Sequence, residues 1–171
     1  MFPYDPDWAS SFERERLRVT PILRPYLIEP LEHIGSTSVS GLVAKPIIDM
    51  LAVVEDISPV IAEEDSLRQI GWLLAPEPAD DIERRLSFCT PSREIRTHHL
   101  HVVEREFSEW RGWLAFRNYL RRRPDVAQEY GEVKSRLAIE HGSDPNERDE
   151  YRAGKADWVS AVTQRALECE P

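Results

Sequence analysis

The segment Pro46–Val54 reads PIIDMLAVV. It is short, rich in β-branched and aliphatic side chains, and apolar at both odd and even positions. That is the pattern of a strand buried on both faces in the middle of a sheet. One residue breaks it: Asp49 is the only charge between Ile47 and Val54, and alternation sets it on one face with Ile47, Leu51 and Val53. A carboxylate buried there without a partner costs roughly several kcal/mol or stays protonated. Asp49 therefore opens into a polar cleft or meets a cation.

Upstream of this strand, Gly35–Gly41 reads GSTSVSG and follows a short strand, Leu31–Ile34. A Gly-Ser turn lets backbone N–H groups and a hydroxyl approach a phosphate closely. Asp7–Arg24 spaces Trp8, Phe12, Val19 and Leu23 as an amphipathic helix, and Pro21, Pro25 and Pro30 bracket its end. Downstream, the spacing predicts one surface helix over Ile57–Gly71, a short strand over Trp72–Ala75, and strands over Arg84–Thr90 and Arg96–Val103 around the turn-prone Thr90-Pro91-Ser92. Helical spacing then fills Glu109–Arg123, Pro124–His141 and Glu147–Glu168, with breaks at Pro124 and over 142–146. Strands early and helices late make an α+β chain, one domain over 1–171 with a sheet core at about 25–104 and a helical part at about 105–171.

Composition narrows the class. A chain of 171 residues buries roughly 70% of its unfolded surface and needs no staple. With 22 Lys plus Arg against 31 Asp plus Glu, the net charge of −9 opposes the basic surface that non-specific nucleic-acid binding requires. Cys89 and Cys169 form no CxxC and read as reduced thiols, which points to the cytoplasm. No apolar run approaches the ~18 residues of a membrane span.

His98, His99 and His101 are three of the five histidines. On a strand, His99 and His101 share a face with Thr97, and His98 points the other way with Leu100 and Val102. Two imidazoles at i, i+2 suit a transition metal, acid–base chemistry or a phosphate. Lys45 precedes Asp49 closely enough to meet a phosphate or neutralise the acid. Tyr151 and Lys155 share a helix face, only one of Arg84 and Arg85 can face a cleft, and Arg117 lies among apolar residues and calls for a partner. Arg121-Arg122-Arg123 reads as cations complementing a helix C-terminus. The stripe Phe107, Trp110, Trp113, Phe116 reads as helix packing.

The string EHIGSTSVSGLVAKPIIDMLAVV, Glu32–Val54, resembles the signature of the GrpB family. YDPDW at Tyr4–Trp8, THHLHVV at Thr97–Val103, EWRGWLAFRNYLRRRPDVAQEY at Glu109–Tyr130 and the Tyr151/Lys155 helix extend the likeness over nearly the whole chain. The Gly-Ser turn followed by an acid on a strand is also similar to the nucleotidyltransferase superfamily. The resemblance implies a nucleotidyltransferase-like mixed sheet flanked by helices, with a helical C-terminal region. It implies transfer of a nucleoside monophosphate from an NTP to a small-molecule acceptor or, alternatively, a non-catalytic nucleotide- or phosphate-binding module. In that reading Asp49 and His101 are catalytic. Asp49, His99 and His101 hold Mg²⁺, Mn²⁺ or another divalent ion, and Gly35, Ser36, Ser38, Lys45 and Lys155 receive phosphate. The sequence departs from the patterns at Ser40, where the family usually carries Pro, and at Leu51, where the superfamily carries a second acid. Glu32 and Glu55 are the nearest other acids, neither at the expected spacing.

Overall fold

The computed structural model describes residues 1–77, 80, 84–141 and 148–169. Among them the chain runs α1 (Asp7–Leu23), β1 (Glu32–Ile34), a 3₁₀ turn (Ser36–Ser38), β2 (Ile48–Val54), α2 (Ser58–Ile61), α3 (Glu64–Gln69), β3 (Leu73–Leu74), β4 (Arg85–Pro91), β5 (Arg96–Glu104), α4 (Glu109–Arg122), α5 (Pro124–His141) and α6 (Arg148–Glu168). The strands form one mixed sheet in the order β1-β2-β5-β4-β3. The β2–β5 pair is parallel, and the β1–β2, β4–β5 and β3–β4 pairs are antiparallel. The architecture is α+β.

Alternation along the central strands assigns the two layers. Ile48, Met50, Ala52 and Val54 of β2, with Leu100 and Val102 of β5, join Trp8, Phe12, Val19 and Leu23 of α1 and Leu67 of α3 in the largest core. His98 lies on this face, its Nε2 3.1 Å from Ser11 Oγ and its Nδ1 2.9 Å from Thr97 Oγ1. On the opposite face Leu51, Val53 and Val103 pack with Ile34 under Trp110 of α4. The C-terminal helices close on a further core of Val39, Leu42, Ala115, Leu120, Tyr130 and Val162. The sheet's second face and these helices leave a cleft between them.

Two predicted elements differ. The stretch expected as one helix over Ile57–Gly71 is two short helices, α2 and α3, with a turn where Tyr26 Oη donates to Glu63 Oε1 at 2.8 Å; Val60 and Leu67 still reach the core. Pro21 lies inside α1 instead of ending it. Pro21 and Leu17, whose carbonyl loses its N–H partner, both face solvent, where water can take up that carbonyl. The predicted break over 142–146 lies outside the described residues.

Candidate functional site

Register brings the chemistry together. In the parallel β2–β5 pair Asp49 stands beside His99, and Leu51 beside His101, all on the face toward the C-terminal helices. Asp49 Oδ1 lies 3.3 Å from His99 Nδ1 and 3.8 Å from His101 Nε2. One donor atom from each of the three side chains falls within 4.8 Å of the others. Burial pushes the Asp49 carboxyl up, but the His101 and His99 rings beside it outweigh burial and hold the group well below the usual carboxylate range. The side chain is 29% exposed and opens into the cleft. His99 Nε2 is buried with no hydrogen-bond partner. It is the Nδ1 atom of this ring, not the unpartnered Nε2, that lies beside Asp49.

Gly35 belongs to the same cluster. Its φ of 70° suits glycine, and a Cβ there would fall on Asp49 Oδ2. The turn and the acid thus lie against each other. Ser36 borders the cleft with Asp49, and its hydroxyl shares a hydrogen bond with the Tyr130 phenol, which burial pushes up. Ser38 is different: its hydroxyl donates to the Gly35 carbonyl at 2.6 Å, so it closes the turn instead of facing a phosphate.

The main cleft, about 770 Å³, is lined on one side by Ile34, Gly35, Asp49, His99 and His101 and on the other by Trp113, Phe116, Leu120 and Val159. Trp113 and Phe116 correct the reading of the aromatic stripe. Trp110 is core, whereas Trp113 lies edge-on to His101, 6.0 Å between ring centroids, and forms the cleft wall. Beyond Asp49 the cleft adjoins a smaller chamber of about 200 Å³, bordered by Lys45, Lys134, Tyr151 and Lys155. Lys45 and Lys155 lie over the Tyr151 ring at 5.1 and 5.2 Å. Burial lowers Lys155, and Asp49 partly restores it.

The acids near the motif do not replace the missing one. Leu51 is fully buried in the packing under Trp110, so its position is closed to a metal ligand although it shares a face with Asp49. Glu32 Oε2 takes Arg117 Nη1 at 2.5 Å, which also donates to the His33 carbonyl at 2.8 Å; this is the partner Arg117 called for. Glu55 pairs with Arg105 on the surface. Arg85 faces the cleft and pairs with Asp80 at 2.7 Å, while Arg84 turns away to Glu104. Arg121 and Arg123 are engaged by the Ser38 carbonyl and Asp125.

Sequence reasoning missed Lys134, Tyr130 and Arg152. The first two carried a signal: Val126, Tyr130, Lys134 and Leu137 form the buried stripe of α5, and a lysine in such a stripe is an anomaly of the same kind as Asp49. Arg152 is exposed and carried none.

An α+β sheet whose central parallel strands present one carboxylate and two imidazoles to a helix-walled cleft is the class these features define. The chain belongs to the GrpB family, described as GrpB protein, which matches residues 1–165. It is 34% identical over 163 residues to the UPF0157 protein YqkA of Bacillus subtilis, covering 95% of this chain and 46% of that one, so it spans about half of that relative. It is 30% identical over 158 residues to the glutamate-rich protein GrpB of Alkalihalophilus pseudofirmus, covering 91% and 88%. The crystal structure of conserved protein GrpB from Enterococcus faecalis superposes with a TM-score of 0.84 at 34% identity, covering 97% and 96%. Among the described residues no helix is long and apolar enough to cross a membrane.

Proposed function

We propose that the cleft is the site of a metal-dependent nucleotidyl transfer, moving a nucleoside monophosphate from an NTP to a small-molecule acceptor. The observation that carries it is the convergence of Asp49, His99 and His101 within 4.8 Å, directly against the Gly35-Ser36 turn. The donor set fits a divalent ion: one carboxylate held in its ionised form and two imidazoles, three ligand atoms in all. Imidazole donors favour Mn²⁺ or another transition ion over Mg²⁺, which prefers oxygen ligands. Bound there, the ion would supply Lewis-acid stabilisation of the charge developing on the transferred phosphoryl group.

The protein's own contribution is placement and charge. The lack of a side chain at Gly35 brings the Ser36 turn against the acid, where N–H and hydroxyl donors meet phosphate oxygens. Lys45 and Lys155 offset phosphate charge from the side of the chamber. The Trp113–Phe116 wall gives the organic part of the substrate an apolar surface and lowers the dielectric around the reacting centre. Nucleotide and acceptor are thereby held in one orientation.

One observation favours the second reading, a nucleotide-binding module without turnover: Leu51 packs where the second metal-bridging acid would stand. Incubation with each NTP and Mn²⁺ or Mg²⁺, followed by a pyrophosphate assay, separates the two. Release that is abolished in Asp49→Asn supports transfer. Nucleotide binding with no release under either metal supports the module.

A further inference from the structure

The chain contains three lysines, Lys45, Lys134 and Lys155; every other member of its 22 Lys plus Arg is arginine. All three border the 200 Å³ chamber beside Asp49, although they come from the segment before β2, from α5 and from α6. A surface selected only for charge would scatter lysines. Here the compact, strongly hydrated cation is reserved for one chamber, and the planar arginine serves everywhere else.

None of the three lysines has a carboxylate at ion-pair distance among the described residues. Lys134 is 2% exposed; its Nζ donates to the Val43 carbonyl at 2.6 Å and lies 4.6 Å from the Tyr130 ring centroid. Burial, with Lys155 adding to it, lowers the Lys134 amine to about 7. Arg152 adds a fourth cation at the chamber wall, itself engaged by Glu77 and Asp149, and Asp49 lines the chamber from the cleft side. Among the described residues the three lysines are left without an ion-pair partner, at a cost in desolvation. An anion from outside is the partner that offsets it. The chamber lies below the ~300–1,000 Å³ of sites that enclose a whole organic ligand. It suits a small, multiply charged anion, or that part of a larger molecule whose remainder lies in the adjoining cleft.

We propose that this chamber is a diphosphate-binding site that works without a metal ion, its ligand being inorganic pyrophosphate or the terminal diphosphate of a nucleotide. The proposal rests on the phosphate-handling part of the transfer reading and is independent of its metal. Lysines provide point charges that follow a flexible phosphate chain without demanding a bidentate geometry. The Ser36 hydroxyl, at the border of chamber and cleft, links the two.

The test uses the wild-type protein in EDTA. Calorimetric titration with inorganic pyrophosphate should show one site, weakened about tenfold or more in Lys134→Met. Because the chain has only three lysines, acetylation of amines read by mass spectrometry reports on this chamber, and pyrophosphate should slow labelling of all three. ADP, which carries a diphosphate, should protect likewise, and AMP should not. ADP and pyrophosphate should compete; tighter binding of ADP identifies the nucleotide tail as the ligand, and tighter binding of pyrophosphate identifies the free anion. No pyrophosphate binding in EDTA, unchanged affinity in Lys134→Met, or unprotected lysines would overturn the proposal. A separate Mn²⁺ titration keeps failures apart: pyrophosphate binding without any Mn²⁺ binding leaves the chamber and removes the transfer reading, and the reverse result does the opposite.

Discussion

Replacing Lys134 with methionine shortens the side chain by one atom, removes the charge and should stabilise the protein at about pH 6 while destabilising it above about pH 10.5. The wild-type amine is lowered from 10.5 to about 7, chiefly by burial. Between those values the unfolded chain holds a proton that the native one lacks, so wild-type stability rises with pH through that window. Below it the buried ammonium costs about 5 kcal/mol, at 1.36 kcal/mol for each unit of displacement. Methionine removes this cost but leaves the Val43 carbonyl without its donor, a loss of about 1–2 kcal/mol. The variant should therefore lead by about 3–4 kcal/mol at low pH and trail by about 1–2 kcal/mol once the wild-type amine is neutral in both states. Urea unfolding of both proteins in matched buffers measures the gap. A gap that stays constant from pH 6 to pH 10, or a variant less stable at pH 6, would refute the assignment of Lys134 as a buried, costly cation.

Leu51→Asp should destabilise by about 3–5 kcal/mol without strengthening Mn²⁺ binding, because the new carboxylate lands in the packing under Trp110; urea melts and a metal titration read the two halves. Gly35→Ala combines a positive φ with a Cβ that falls on the Asp49 carboxylate. It should cost about 1–3 kcal/mol and lower Mn²⁺ affinity at least about tenfold, and an unchanged affinity would detach the turn from the acid. Arg117→Ala strands Glu32 and the His33 carbonyl and should cost about 2 kcal/mol, whereas a Glu32→Gln, Arg117→Met double variant should recover part of it in the same assay.

The strands were legible because β2 reads as a doubly buried apolar run broken by a single acid, and alternation then fixes which residues of each strand share a face. Asp49 could thus be set on one face of its strand, and His99 with His101 on one face of theirs, before any coordinates; that the two faces coincide comes from the parallel register. What alternation could not give is depth. Leu51 shares the face of Asp49, yet α4 covers one and not the other, and coverage depends on where Trp110 and Trp113 land after a long excursion of chain. The same limit hid the division of the aromatic stripe into core and cleft wall. Ser38 was misread for a different reason. Its side chain is a few ångströms from Ser36, but the 3₁₀ turn spends that hydroxyl on Gly35, and local hydrogen bonding of this kind is set by backbone angles that composition does not reveal. Lys134 was readable in principle, since a lysine in an apolar stripe violates periodicity, but three cations from three separate segments become one chamber only through tertiary packing.

The parallel pairing of β2 with β5 also governs when the site comes into being. These two strands are joined through α2, α3 and the whole of β3 and β4, so the chain must close a long loop before the first Asp49–His99 contact can form. Loop closure is an entropic toll charged in advance of any contact it makes available, and parallel pairs of high sequence separation are slow on that account. The β3–β4 and β4–β5 hairpin pairings are local and can assemble without β2. On the metal site we propose, divalent-ion binding would be acquired only when β2 docks beside β5. Metal capture during refolding would serve as a clock for that docking event, distinct from the helical signal of α4, α5 and α6.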